Sequence, residues 1–253
     1  MADLALASAR PWDQGDRTFV PRSTTTHPDE ASGDDIAESR DEFDNRFRIR
    51  VASKARLRAR VNSLVERRYA WRGYSTSPLE DHTSGQVTVC ASVDEATVAT
   101  ITATLDSRDG LYVSRLYPDE VGRLQRQGRK LCEFTRLAVD ESVRSQAILG
   151  AIFHVACIYV INVHRCTDVL IEVNPRHVRF YERMLGFQRV AEERLDPAVN
   201  APAVLMRLDL AHCAAEIERL GGLGAAKGRE RSFYPYFFAP HDAERIVGRL
   251  RVH

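Results

Sequence analysis

The chain has 253 residues, of which 44% are apolar, and a net charge of +1 at pH 7. This length favours one domain of about 200 residues with tails, with two small domains as the alternative. The apolar fraction is sufficient for a complete core. The near-zero charge excludes a globally basic nucleic-acid-binding protein, so we expect no nucleic-acid partner.

The five cysteines and eight histidines show no metal-binding pattern. Neither CxxC nor HExxH occurs, so we expect no metal site and predict reduced packing thiols of a cytoplasmic protein. The first residues contain an acid and only a short apolar run, unlike a secretory signal. Residues 147–163 are apolar but short for a membrane span, which needs about 20 residues. We therefore predict a buried core helix and no transmembrane segment.

Charge divides the beginning of the chain into two segments. Residues 1–45 have a net charge of −7 and little periodicity, which predicts a disordered acidic arm. Residues 46–72 have a net charge of +9. Alternation of apolar residues and arginine predicts a strand over residues 47–52, and a helix follows. The apolar stripe of this helix consists of Leu57, Val61, Leu64, Val65 and Trp71.

Arg68 falls on the same stripe of the first helix. One interpretation is an arginine whose stem packs along the flank of the helix while its charge reaches water. The other is a ligand for an anion, aimed at the central strand.

A loop over residues 71–85 follows the first helix. Apolar periodicity and turn residues predict the later elements. They are a hairpin (86–92 and 97–105), a short helix (118–126), the central strand (131–139), a long helix (147–163), a strand (168–173), a helix (176–185), two strands (187–191 and 203–208) and a helix (210–220). We expect a main domain over residues 46–222 and a C-terminal extension over residues 223–253. The extension contains the aromatic run F-Y-P-Y-F-F, for which packing on the core is one interpretation.

The central strand is apolar on both faces apart from Glu133, Thr135 and Arg136. Apolarity on both faces is typical of a strand that is covered on each side. A carboxylate and a guanidinium in such a strand are costly unless they are paired or hydrogen-bonded. They are either a structural ion pair or part of a reaction site, where buried ionisable groups acquire useful pKa values.

The order of the predicted elements resembles the GNAT acyltransferase fold. F-Y-E-R-M-L-G-F, over residues 180–187, is similar to the helix-to-hairpin signature of that superfamily. The resemblance implies an α/β fold with a GNAT-type mixed central sheet flanked by helices. It also implies a β-bulge in the central strand. Strict alternation would place Glu133 and Arg136 on opposite faces, and a bulge between them would bring both to one face.

The turn after the central strand reads R-S-Q-A-I-L, from Arg144 to Leu149. In GNAT enzymes this turn usually reads R/Q-x-x-G-x-G/A, and its amides hold the pyrophosphate of coenzyme A. The resemblance therefore implies donor-binding roles for Arg144, Ser145 and Gln146. Both glycines are missing here, and side chains in their place would crowd a pyrophosphate that approaches the backbone. We therefore favour a donor carried on acyl carrier protein, with no cofactor beyond its phosphopantetheine.

Three segments resemble the long-chain N-acyl amino acid synthases, a GNAT-fold family related to the acyl-homoserine lactone synthases. They are E-F-T-R-L-A-V in the central strand, V-N-P-R-H-V-R-F-Y-E-R-M-L-G-F over residues 173–187, and E-R-R-Y-A-W-R-G-Y over residues 66–74. The resemblance covers residues 46–210 and implies transfer of a long-chain acyl group to the α-amine of an amino acid. An acyl-homoserine lactone synthase is an alternative, since that family has E-x-x-R in the same strand. A non-catalytic module that binds acyl carrier protein or lipid is another.

The reaction suggests a role for each candidate residue. Glu133, desolvated in the strand, is the candidate general base. Arg136 is the candidate ligand for the carboxylate of the acceptor amino acid. The backbone amides of Leu137 and Val139 are candidate supports for the pantetheine and the oxyanion.

The helix after the fifth predicted strand contributes two further candidates. Tyr181 either protonates the leaving thiolate or packs as a core tyrosine. His177 either binds substrate or packs at the start of its helix.

Acyl carrier proteins are acidic, so the basic segment has a candidate partner. Its arginines would steer a carrier towards the first helix; they are Arg56, Arg58, Arg60, Arg67 and Arg72. The alternatives are a solvated basic face and pairing with the acidic arm of the same chain.

Overall fold

A computed structural model of the chain describes residues 35–40, 46–70 and 85–251. Among these residues, nine strands form a sheet in the order β1-β2-β3-β4-β5-β6-β9-β7, with β8 paired to β9. The strands are β1 (Asp35–Arg40), β2 (Arg46–Val51), β3 (Gln86–Val93), β4 (Ala96–Leu105), β5 (Leu131–Val139), β6 (Asp168–Val173), β7 (Gln188–Arg189), β8 (Arg194–Asp196) and β9 (Ala201–Asp209). The helices are α1 (Ala55–Ala70), α2 (Pro118–Arg126), α3 (Gln146–Ile158), α4 (Val178–Leu185), α5 (Leu210–Leu220) and α6 (Pro240–Leu250).

The sheet is mixed, because β5 and β6 are parallel and the other neighbouring strands are antiparallel. Helix α3 covers one face together with the aromatic side chains of the C-terminal segment. Helix α1 covers part of the other face, and α2 with the 3-10 turn Tyr112–Arg115 covers the rest. The predicted α/β architecture, a mixed central sheet flanked by helices, is confirmed.

The two central parallel strands separate along their length. β5 pairs with β6 only at Leu131, Cys132 and Glu133, whereas β6 pairs with β9 over its whole length. Within the described part of the chain, the second half of β5 therefore has β4 on one side and no strand on the other. The backbone groups on the open side are available to a ligand, because a strand that lacks a partner presents unpaired N–H and C=O groups.

The structure corrects the predicted limits at several places. The region expected to be a disordered acidic arm contains β1, which pairs with β2. Residues 1–34 and 41–45 of that region lie outside the described residues, as do residues 71–84 of the predicted loop, including Trp71 of the predicted apolar stripe. The expected strand over residues 187–191 shortens to β7, and Phe187, which precedes it, is buried in the core. The long helix ends at Ile158 and continues as a π-helical turn over Tyr159–Val163.

The stretch Gln146–Val163 has the length and apolarity of a membrane span, but 78% of it is buried inside the protein. It is the central helix of the core. The aromatic tail packs against it. Gly150 marks the closest approach, since a Cβ at this position would lie 2.7 Å from the Cβ of Tyr236.

Candidate active site

Glu133 lies in β5 at the point where β6 begins to separate, and its side chain is only 3% exposed. Its two carboxylate oxygens accept hydrogen bonds from the backbone amides of Tyr112 (3.0 Å) and Val113 (3.1 Å). Burial raises the pKa of the Glu133 carboxyl, and the two amide hydrogen bonds oppose this shift without cancelling it. A carboxylate in these surroundings holds a proton more readily than one in water, as a general base requires.

Arg136 forms the predicted bulge. The register between β4 and β5 shifts between Thr100 and Thr102, and Arg136 has a φ of +53°. This left-handed conformation costs a residue with a side chain about 1–2 kcal/mol. The guanidinium points towards α1, where its Nη2 donates to Oδ1 of Asn62 (2.8 Å). Burial lowers its pKa.

The bulge places Glu133 and Arg136 on the same face of the sheet, since their partners belong to the elements that cover that face. The two side chains nevertheless form no ion pair within 4 Å. The ion-pair interpretation is therefore wrong. The reason is that each charged group has a different polar partner, two backbone amides for one and an asparagine for the other.

The backbone of Val139 faces the opening between β5 and β6. The amide of Asp140 donates to the carbonyl of Val98 (2.8 Å), and hydrogen-bonded and non-hydrogen-bonded positions alternate in antiparallel strands. The amide of Val139 consequently points away from β4. Leu137 follows the bulge, and its side chain is buried against the α3 side of the core.

The turn between β5 and α3 satisfies its own polar groups. The Ser145 hydroxyl caps α3 by accepting from the amide of Ile148 (3.2 Å). Arg144 is exposed and donates to the carbonyls of Glu141 and Val143. Gln146 is the first residue of α3 and is half-buried.

The side chains at the positions of the missing glycines, Ala147 and Leu149, are buried in the core. The sequence predicts that these side chains crowd a pyrophosphate at the backbone. That prediction is wrong, because both side chains point into the core. The Ser145 hydroxyl already accepts a hydrogen bond from the Ile148 amide. It would therefore compete with a pyrophosphate for that amide.

Tyr181 is a core residue. It is completely buried and packs edge-on against Phe180 and Phe187, with ring centroids 5.2 and 5.8 Å away. It belongs to the cluster on the α3 face of the sheet, opposite to the face of Glu133. The packing supports the core interpretation, and the structure does not bring Tyr181 together with Glu133.

His177 ends a 3-10 turn before α4 and accepts from Nε of Arg176 at 3.2 Å. It lies half-buried at the carboxyl end of β6. The predicted end of α4 is confirmed, since Gly186 caps the helix with a φ of +78°, a conformation that glycine adopts without strain.

Arg68 forms an ion pair with Glu141 in the loop after β5. Its side chain is 11% exposed, so its charge is matched by the protein itself. Other arginines of this region also have internal carboxylates. Arg60 pairs with Glu95, and Arg67 pairs with Asp140 at 3.5 Å. Arg58 donates to the carbonyl of Ser53, and Arg72 lies outside the described residues.

A cleft beside the end of β6 was missed by the sequence analysis. Two buried carboxylates line it, Glu172 of β6 and Asp196 of β8. Burial together with these two acids raises the pKa of Tyr112, whose amide binds Glu133. Negative groups in such a cleft attract a cationic ammonium. The available signal was Glu172, which follows three apolar residues within β6, D-V-L-I-E-V.

No group of three or more His, Cys, Asp or Glu side chains suited to a metal occurs in the described ranges. The five cysteines are free thiols. Two of them, Cys157 and Cys213, contact each other in the core with their sulfurs 3.9 Å apart.

A family model described as "N-acyl amino acid synthase FeeM" matches residues 60–209, from α1 to the end of β9. Among solved structures, FeeM, an N-acyl amino acid synthase from uncultured soil microbes, is similar at 24% identity and a TM-score of 0.62. The alignment covers 69% of this chain and 95% of FeeM. A search of curated proteins finds no match.

Two further solved structures show weaker similarity. The AHL synthase LasI matches at 13% identity and a TM-score of 0.48, covering 66% of this chain and 91% of LasI. An acyl-CoA N-acyltransferase from Pseudomonas aeruginosa matches at 13% identity and a TM-score of 0.46, covering 64% and 97% of the two chains.

Proposed function

Because the chain belongs to the N-acyl amino acid synthase FeeM family and is an acyltransferase, we propose that it transfers a long-chain fatty acyl group from an acyl carrier protein thioester to the α-amine of an amino acid. The observation that carries the proposal is the opening between β5 and β6. A pantetheine arm contains amide groups, and it can replace the missing strand by binding backbone groups of β5 that face the opening, such as the amide of Val139.

The chemistry uses the residues that line this opening. The neutral amine attacks the thioester carbonyl, Glu133 removes a proton from the nitrogen, and the same proton then passes to the leaving thiolate. The raised pKa of Glu133 supports this role. Backbone amides of Leu137 and Val139 stabilise the oxyanion.

Arg136 binds the carboxylate of the acceptor amino acid. His177, in the turn after β6, contacts the substrate. Arg144, Ser145 and Gln146, in the turn between β5 and α3, are assigned to the single phosphate of the arm. Arg68 is assigned no substrate, because Glu141 already neutralises it.

Carrier-bound donors are made in the cytoplasm, and we propose that the protein works there. Free buried thiols are compatible with that compartment.

The donor is tested by comparing matched acyl carrier protein and acyl-coenzyme A thioesters at equal concentration with a set of amino acids. We expect turnover with the carrier and poor turnover with coenzyme A, because Ser145 occupies an amide that a pyrophosphate would need. The acceptor set includes a compound with a leaving group on its γ-carbon, so that its carboxylate can close a lactone, and mass spectrometry of the product then separates an N-acyl amino acid from a lactone. Equal or faster turnover with the coenzyme A thioester would refute the proposed donor.

A further inference from the structure

Four exposed arginines follow the parallel strands β5 and β6 in the chain, and we refer to them as the arginine surface; they are Arg144, Arg176, Arg179 and Arg183. Arg144 follows β5, and the other three follow β6. Because β5 and β6 are parallel neighbours, the residues after them lie at the same edge of the sheet. The arginines on and before α4 are three and four residues apart, so they share one side of the helix. The buried residues of α4 lie on its other side.

The charge of the arginine surface is not neutralised within the described residues. No carboxylate of residues 35–40, 46–70 and 85–251 forms an ion pair with any of its four guanidinium groups. Glu182, the one acid in α4, is exposed and makes no ion pair in these ranges. Arg176 donates a hydrogen bond to Nε2 of His177 (3.2 Å).

Most arginines of the basic segment of α1 and β2 differ in this respect, whereas Arg56 is exposed and forms no ion pair within the described ranges. Arg50 pairs with Asp35 and Glu95, and Arg60 pairs with Glu95 as well. Arg67 and Arg68 pair with acids of the loop after β5. A partner that docked on α1 would have to compete with these carboxylates, and each broken pair would reduce the gain.

We propose that the arginine surface, and not α1, is the docking site for the acidic carrier protein that delivers the acyl group. The inference rests on the proposed function, which supplies the carrier. Unpaired arginines keep their full attraction for an acidic surface and speed its encounter. They also suit the phosphate that joins the pantetheine arm to its carrier, because guanidinium groups bind phosphate oxygens in pairs. Arg144 and Arg176, in the segments directly after β5 and β6, lie at the edge of the sheet where these strands have separated and where the arm would enter.

The test compares two double charge reversals that lower the net charge equally. One is Arg179→Glu with Arg183→Glu on α4, and the matched control is Arg56→Glu with Arg60→Glu on α1. The binding of pantetheine-loaded acyl carrier protein is measured by calorimetry at low salt and at about 0.15 M salt, where the screening length is about 8 Å. We expect the Kd to rise about ten-fold or more for the α4 double and to change by less than about two-fold for the α1 double. The parent should bind more weakly at the higher salt.

A carrier-free donor separates docking from chemistry. Turnover with acyl-pantetheine should be equal in the parent and the α4 double, while kcat/KM for the acyl carrier thioester falls in that double. The opposite ranking of the two doubles, or a parent that does not bind the carrier, overturns the docking site. A parent that binds the carrier but transfers no acyl group from any donor refutes the proposed function, and the Kd values of the two doubles still decide the docking site.

Discussion

Glu133 is held by the backbone and not by another side chain. Its carboxylate binds two successive amides of the turn Tyr112–Arg115, so it stabilises the turn that carries Tyr112. Two hydrogen bonds leave part of the carboxylate's accepting capacity for a substrate amine, since an ionised carboxylate has about four acceptor sites. Glu133 therefore stabilises the turn Tyr112–Arg115 and also lies where β5 and β6 begin to separate.

Replacing Glu133 by Gln tests its catalytic role. Glutamine offers one acceptor and one donor group to two amides that both donate, so we expect the free energy of unfolding to fall by about 1–3 kcal/mol. Loss of a general base should also lower the single-turnover rate about 10²–10⁴-fold at neutral pH. The deficit should shrink at alkaline pH, where the acceptor amine is already neutral.

The rates of parent and variant are measured from neutral to alkaline pH, with the melting temperature of each. A destabilised variant whose rate deficit is independent of pH would leave Glu133 with its structural contact alone.

At the scale of the elements, β5 and β6 pair only over their first three residues. Other contacts must therefore hold the two strands together at that end. Asp168, at the start of β6, is completely buried. Its carboxylate accepts from Arg129 (2.9 Å), which precedes β5, from Arg207 on β9, and from the Thr167 hydroxyl (2.6 Å). Burial would raise the pKa of Asp168, but these hydrogen bonds outweigh burial and hold the pKa below its ordinary value. One carboxylate thus joins three strands where the opening ends.

Asp168→Asn should lower the free energy of unfolding by about 3 kcal/mol, at the lower end for a broken buried ion pair, because both arginines reach water. The matched control is Asp209→Asn. Asp209 binds the same arginines but is 41% exposed, and asparagine still caps α5, so we expect a loss below about 1 kcal/mol.

Chemical unfolding near neutral pH measures both variants. The contribution of the Asp168 carboxylate is present above its unfolded pKa of about 3.9 and is lost as the pH falls through its lower folded pKa. Equal losses in the two variants would contradict the special role of the buried carboxylate.

At the scale of the whole molecule, the C-terminal segment completes the core. Phe233, Tyr234 and Phe237 are buried with α3, and α6 reaches β1, where Arg249 donates to the carbonyls of Asp35 and Ile36. The segment therefore connects the central helix to the edge strand at the opposite end of the sequence.

The link between α3 and this segment depends on His154. Its Nδ1 accepts from the amide of Phe238 (2.8 Å), and its ring stacks on Phe237 with centroids 4.7 Å apart. Burial lowers the pKa of His154 to about 3. Below the unfolded pKa of about 6.5, the unfolded chain binds a proton that the folded protein does not. The free energy of unfolding should therefore fall as the pH decreases, by at most about 1.4 kcal/mol per pH unit.

His154→Asn should flatten this dependence. The asparagine oxygen can still accept from Phe238 but does not titrate, so we expect lower stability at neutral pH from the lost stacking and a shallower slope between about pH 6 and pH 4. Urea unfolding at a series of pH values measures the slope. His212→Asn, at an exposed position, should keep the parental slope. An unchanged slope in His154→Asn would assign the pH dependence to other groups.

The sequence by itself determined the features that depend on neighbours along the chain. The apolar run of α3, the alternation in β2, the hairpin β3–β4 and the glycine after α4 are all local patterns, because helix and strand periodicities express which side of an element is buried. The motif in α4 and the bulge in β5 followed from resemblance to a family, and both are present.

Tertiary structure alone decided the partners of the charged groups. Glu133 binds amides about 20 residues earlier, Arg136 binds Asn62, and Arg60 binds Glu95. Tertiary structure also decided β1. This polar segment becomes a strand because it pairs with the edge of β2. The physical reason is that the periodicity of a sequence indicates which residues are buried, but it does not indicate which residues contact each other. A charge is equally compatible with several partners until the chain closes and brings one of them within hydrogen-bonding distance.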